Sequence, residues 1–87
     1  MATVWIPSLM RDLTGGQETV KVPGKTVGQV IAALDAAYPG IRDRLCEGDR
    51  IGPAVAVSVD GRIAQLGLFE SVGEQSEIRF LPAVSGG

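Results

Sequence analysis

Only one stretch of this chain repeats apolar residues at helical spacing for several turns, and that limits the architectures open to it. Val27, Val30, Ile31 and Leu34 fall on one stripe, with Tyr38 one turn further on. Thr26 followed three residues later by Gln29 is a capping-box pattern that starts the helix, and Pro39-Gly40 stops it. A lone amphipathic helix has to bury its stripe on another layer, and four alternating segments offer a sheet for the purpose.

The first segment runs from Ala2 to Met10, with Val4 and Ile6 on one face and Thr3, Trp5 and Pro7 on the other. Thr14-Gly15-Gly16-Gln17 supplies a turn, and Glu18 to Val22 alternates again, so the two read as a hairpin that Pro23-Gly24 ends. Ala54 to Val59 is a third strand, with Val55, Val57 and Val59 on one face, Ala56 and Ser58 on the other, and the turn pair Asp60-Gly61 after it. Glu77 to Pro82 is the last, with Ile78 and Phe80 inward and Arg79 and Leu81 outward. Between them, Ile41 to Leu45 reads as a short turn of helix. Glu47-Gly48-Asp49-Arg50 with Gly52-Pro53 reads as an exposed loop, and Leu66 to Phe69 as an apolar connector.

The order strand, strand, helix, strand, strand predicts an α+β domain. A mixed sheet of about four to five strands with one main helix across one face is the β-grasp arrangement. A ferredoxin-like chain would need a second helix of full length, and Ile41 to Leu45 is too short. Eighty-seven residues with 45% apolar content fill one core. The division expected is a β-grasp domain over residues 1–82 and a flexible tail over residues 83–87.

Composition then narrows function. A net charge of −2, with eight basic residues scattered along the chain, argues against nucleic acid and against a polybasic membrane arm. No run approaches a membrane span, and the opening residues lack the pattern of a secretion signal, so the mature chain is expected to be the sequence as written. The single Cys46 forms no intrachain disulfide and fits a reducing cytoplasm; one thiol holds neither zinc nor an iron–sulfur cluster. The absence of histidine removes Ser-His-Asp and Cys-His nucleophile pairs and imidazole metal sites. No bound cofactor or metal is expected, and catalysis by this chain alone is not.

Three local features carry possible chemistry. Pro23-Gly24-Lys25-Thr26 resembles the end of a phosphate-binding loop, but the required first glycine falls at Thr19, and Val20 and Val22 are strand residues. Cys46 lacks a nearby general base, and Glu47 beside it would raise its pKa, so it reads as a bystander. Trp5 and Leu81 share the face away from the helix, where they predict an apolar docking patch or ordinary scattered surface hydrophobicity.

The terminal Gly86-Gly87 is the most informative feature. It follows directly from a predicted core strand, so the tail's root is anchored while its tip is free. Five extended residues reach about 17 Å, enough to enter a partner's active site. Glycines lack side chains and pass constrictions that exclude other residues.

The run Glu77-Ile78-Arg79-Phe80-Leu81-Pro82-Ala83-Val84-Ser85-Gly86-Gly87 resembles the signature end of the ThiS/MoaD family of ubiquitin-like sulfur carriers. Val59-Asp60-Gly61 resembles the family's Val-Asn-Gly turn, with aspartate in place of asparagine. Ile6-Pro7, Arg11 and Thr14-Gly15-Gly16-Gln17 look more like the actinobacterial carrier of cysteine biosynthesis than the thiazole-pathway carrier, and Phe80-Leu81-Pro82 is shared with small subunits of molybdopterin synthase.

The resemblance implies that an E1-like adenylyltransferase/sulfurtransferase joins the Gly87 carboxylate to AMP from ATP and converts it to a thiocarboxylate. A second enzyme then takes the sulfur: a PLP-dependent cysteine synthase followed by a metalloprotease, the molybdopterin synthase large subunit, or a thiazole-synthase-like enzyme; a thio-sugar or a thiolated tRNA would need the same carrier chemistry. Gly86 and Gly87 would enter the partner's site. Trp5, Arg79, Leu81, Pro82, Ala83, Val84 and Ser85 would meet its surface. A ubiquitin-like modifier forming isopeptide bonds through Gly87, and a β-grasp binding module with an incidental glycine tail, remain open alternatives.

Overall fold

The computed structural model describes residues 1–82; Ala83, Val84, Ser85, Gly86 and Gly87, on which the tail expectations fall, lie outside the described residues. Nine regular elements follow in order among the described residues: β1 (Ala2–Trp5), β2 (Thr19–Val22), α1 (Val27–Ala37), α2 (Ile41–Leu45), β3 (Cys46–Glu47), β4 (Arg50–Ile51), β5 (Val55–Val59), β6 (Arg62–Ile63) and β7 (Glu77–Pro82). Single 3-10 turns occupy Ser8–Met10 and Gly67–Phe69.

The main sheet has the order β2-β1-β7-β5-β6. β1 runs parallel to β7, with Trp5 opposite Arg79, and the other pairings are antiparallel. A parallel pair requires a crossover, and the chain between β2 and β5 supplies it through α1 and α2. This is the β-grasp arrangement expected from the element order.

The core forms where the expected stripes meet. Val27, Val30, Ile31 and Leu34 of α1 and Ile41 and Leu45 of α2 cover Val4, Val22, Val57, Ile78 and Phe80 of the sheet. Each such side chain contributes about 1.5–3 kcal/mol by leaving water. Thr26 caps α1 as expected, its hydroxyl accepting from Gln29 N–H at 3.2 Å. The reciprocal bond is displaced by one residue: the Gln29 side chain accepts from Lys25 N–H at 2.8 Å. At the other end Asp35 accepts from Gly40 N–H and Arg42 N–H, both at 3.1 Å, and so joins α1 to α2 across the left-handed Gly40.

Several expectations need correction. The first strand ends at Trp5, not Met10, because Pro7 has no N–H to donate and Ser8–Met10 coil into a 3-10 turn. The β1–β2 connection is therefore a folded loop. Arg11 Nε donates to Ile6 O at 3.2 Å, Arg11 O accepts from Gly16 N–H at 2.7 Å, and the buried Thr14 hydroxyl lies 3.0 Å from Gln17 O. The exposed loop after α2 contains a miniature hairpin, β3 with β4, turning at the left-handed Gly48. Arg62-Ile63, given no element from sequence, is the fifth strand. Ser58 is buried although it faces away from the helix, since Arg79 and Ile63 stand opposite it on the flanking strands.

Asp60 and Gly61 both have positive φ, 52° and 84°, which makes the β5–β6 hairpin a primed turn. The Asp60 carboxylate then clamps the start of β7. Oδ1 accepts from Glu77 N–H at 2.9 Å and Oδ2 from the Ser76 hydroxyl at 2.7 Å. The Glu77 backbone bond, aided by the Ser76 bond and by Arg62, holds the carboxyl below the usual carboxylate range. A depressed pKa stabilises the fold fully above the unfolded value, and the gain is lost as pH falls through the folded value. Asp60→Asn is expected to cost about 1 kcal/mol near neutral pH. The gap from the parent should close as pH falls below the ordinary aspartate range of about 4. Denaturant titrations across that range check it, and a gap independent of pH would show that the carboxylate charge is not what clamps β7.

Candidate functional site

β7 lies between β1 and β5, and Pro82 at its end pairs with Val55. Its pairing with β1 covers Glu77 to Arg79 and its pairing with β5 covers Ile78 to Pro82, so the residue before Ala83 is held by β5. Ile78 and Phe80 fix β7 from beneath, at 0% and 7% exposure. Its alternate residues Glu77, Arg79 and Leu81 face outward, as the alternation predicts.

On the outer face the structure brings together Trp5 and Arg79, both named from sequence, and adds Glu77. The Arg79 guanidinium lies 4.4 Å from the centre of the Trp5 ring. The indole Nε1–H donates to Glu77 Oε1 at 2.9 Å, and Arg79 Nη2 stands 3.5 Å from the same oxygen. The anticipated apolar patch of Trp5 and Leu81 is therefore divided by charge. Leu81, 41% exposed, lies one strand repeat nearer the tail and lines a separate apolar groove with Pro7, Leu9, Val55 and Pro82. This groove measures about 340 Å³, and Leu9, 87% exposed, stands at it.

Sequence reasoning missed Glu77 and Leu9. For Glu77 a signal existed: Glu77 and Arg79 are two apart on one strand and so share a face. Its contact with Trp5 depended on the β1–β7 register, which no local pattern states. Leu9 was hidden by the assumption that the first strand ran to Met10.

The other candidates find structural explanations. Gly24 lies against the start of α1, where an added Cβ would stand 2.7 Å from Val30 Cγ2 and 2.8 Å from Val30 N. That close approach explains the glycine. Thr19 belongs to β2 and Thr26 caps α1, so residues 19–26 form no phosphate cradle. Burial pushes the Cys46 thiol pKa up, with Arg42 opposing and Asp43 adding to the rise, a different source from the Glu47 anticipated. No group of three potential metal-binding His, Cys, Asp or Glu side chains converges among the described residues, and no helix among them is long and apolar enough to cross a membrane.

Known proteins share both the sequence and the shape. The family model described as the ThiS family matches residues 4–87. The sulfur carrier protein CysO of Mycobacterium tuberculosis is 37% identical over 90 residues, covering 98% of this chain and 97% of its own. The crystal structure of that organism's CysO matches with a TM-score of 0.89 at 34% identity, over 97% of this chain and 100% of that one. A chain of the Amycolatopsis orientalis BexX/CysO complex matches at 0.92 with 31% identity and complete coverage of both. SAMP1, a small archaeal modifier protein of Haloferax volcanii, matches at 0.74 with 28% identity over 99% of this chain and 98% of that one.

The alternation of β7 separates stability from surface. Phe80→Ala is expected to cost about 3–5 kcal/mol, because a mostly buried ring leaves a cavity beneath the sheet. Leu81→Glu is expected to stay within about 1 kcal/mol of the parent. Chemical denaturation of the two variants checks the contrast; equal losses would mean that the outer face is part of the core.

Proposed function

The chain belongs to the ThiS family, and from that membership we propose that it is a sulfur carrier whose working group is the Gly87 carboxylate. The observation that carries the reading is the full-length match: the family pattern runs through residue 87, and CysO, a sulfur carrier by name, is 37% identical over 98% of this chain. The geometry supports it, since the chain leads to the tail from Pro82, which pairs with Val55 at the end of a strand anchored between β1 and β5 over its first half. That rigid root gives the last five residues a defined origin.

The chemistry follows from the group. A carboxylate resists nucleophiles because its carbon already shares negative charge. An E1-like partner would let a Gly87 oxygen attack the α-phosphorus of ATP, expelling pyrophosphate and leaving an acyl-adenylate. A sulfur nucleophile then adds at the carbonyl carbon and AMP leaves, giving a thiocarboxylate. That soft nucleophile passes its sulfur to an acceptor, and hydrolysis restores the carboxylate for another cycle. The chain is thus a protein cosubstrate, and ATP is bound by the activating enzyme.

Cysteine biosynthesis is the pathway the CysO likeness favours, with a PLP-dependent cysteine synthase as acceptor. The molybdopterin synthase large subunit or a thiazole-synthase-like enzyme would use the same thiocarboxylate. We place this work in the cytoplasm, where the thiol of Cys46 and the thiocarboxylate stay reduced. Ala83, Val84 and Ser85 would line the partner's channel, and Trp5, Leu81 and Pro82 would meet its rim. The likeness to SAMP1 favours one second reading, a modifier that passes Gly87 to lysine amines.

Incubating the chain with its host's E1-like enzyme, ATP and a sulfur donor, followed by intact-mass measurement, tests the proposal. Exchange of one oxygen for sulfur at the C-terminus is expected. Covalent ladders on lysine without that exchange would favour the modifier. Deleting Gly87, or adding one residue after it, should abolish the exchange with the melting temperature unchanged. Variants that still acquire sulfur would remove the terminal carboxylate from the scheme.

A further inference from the structure

The Trp5, Arg79 and Glu77 assembly has a feature that packing alone does not account for. Arg79 is half exposed, and its side chain makes no hydrogen bond among the described residues; its sole ion-pair contact is the 3.5 Å approach to Glu77 Oε1. That oxygen already accepts the shorter bond from the Trp5 indole. The guanidinium therefore sits over an aromatic ring, 4.4 Å from its centre, with its donors left without a hydrogen-bond partner among the described residues. A planar fork of such donors is completed by a carboxylate, which it binds with two parallel bonds. Contact with Trp5 removes much of the rotamer entropy that a free arginine would lose on binding.

Position and charge say what completes it. Arg79 is three residues before Pro82 on the strand that leads to the tail, so an enzyme drawing in residues 83–87 covers this face. Lys21, opposite Thr3, which is itself opposite Glu77, lies on the same face. Lys21 and Arg79 thus share a face on a chain whose net charge is −2. Tryptophan and arginine are also the residue types that most often dominate interface energies. We propose that Arg79 is the specificity residue of this carrier: it receives an acidic side chain of the enzyme that activates Gly87, and Glu77 occupies its place in the free protein. The inference rests on the carrier reading and adds the chemistry of the partner's surface to it.

The glutamate gives the proposal its sign. Glu77→Gln keeps an oxygen for the Trp5 N–H and removes only the competing charge, so it should bind the activating enzyme more tightly. A purely structural assembly would be weakened by the same change. The experiment measures thiocarboxylate formation by the host's E1-like enzyme, with ATP and sulfide, against carrier concentration at low and high salt. Arg79→Gln is expected to raise KM about tenfold with kcat little changed, and to remove the salt dependence of KM seen in the parent. Glu77→Gln is expected to lower KM severalfold, and it decides the matter alone if Arg79→Gln melts early. An unchanged KM for Arg79→Gln, or a raised KM for Glu77→Gln, overturns the inference while leaving the carrier reading intact. A parent chain that takes up no sulfur defeats the carrier reading and this inference with it.

Discussion

The pairing of β7 on both sides is the constraint on which the rest of the structure depends. A C-terminal strand is commonly an edge that frays, yet here it lies between β1 and β5. It closes the sheet from the N-terminal hairpin to the later strands. Without it, the stripe of α1 would have two separate hairpins to cover and no continuous surface. The antiparallel half of that pairing continues to Pro82 opposite Val55, and two buried side chains, Ile78 and Phe80, hold the strand against the core.

From this placement the two faces acquire different duties. Inward residues of β7 are held to the shape of a close-packed core, where a lost methylene is felt. Outward residues meet no such demand, and Glu77, Arg79 and Leu81 differ in charge and size without disturbing what lies beneath. Asp60 adds a further tie at the start of β7, from a primed turn whose backbone aspartate tolerates. Asparagine at that position would keep the turn and one acceptor, whereas aspartate brings charge to both bonds.

Much of this was legible in the chain because the long elements carry their period openly. Val27 to Leu34 could be nothing but a helix once Thr26 and Pro39 bounded it, and the alternation from Glu77 to Pro82 assigned both faces of β7 correctly. What escaped had no period to read. Arg62-Ile63 and the β3–β4 pair are two residues per strand, too short for alternation to appear, and they exist because neighbouring backbone offers partners. The first strand was overextended because Ile6 continues the alternation while Pro7 ends the pairing. The joining of Trp5 to Glu77 and Arg79 depends on a parallel register between the chain's two ends, which sequence spacing of more than seventy residues does not express. Trp5, Arg79 and Leu81 were readable from the strand pattern, but Glu77, Leu9 and the grouping of these residues were not.

That difference bears on how a carrier of this kind is recognised. The reactive group proposed here, a glycine carboxylate on a side-chain-free tip, carries almost no information, since any enzyme with a narrow channel could admit it. Discrimination then has to come from surface that a partner covers before the tip reaches its active site. The apolar groove at Leu9 and Leu81 offers area but little selectivity, because apolar contacts accept many shapes of similar size. A guanidinium held on an indole differs in kind: it favours a carboxylate in one orientation and is penalised when buried against a base or an apolar side chain. Under the proposed role of Arg79, tail chemistry can stay generic while the outer face of β7 selects the enzyme that performs it.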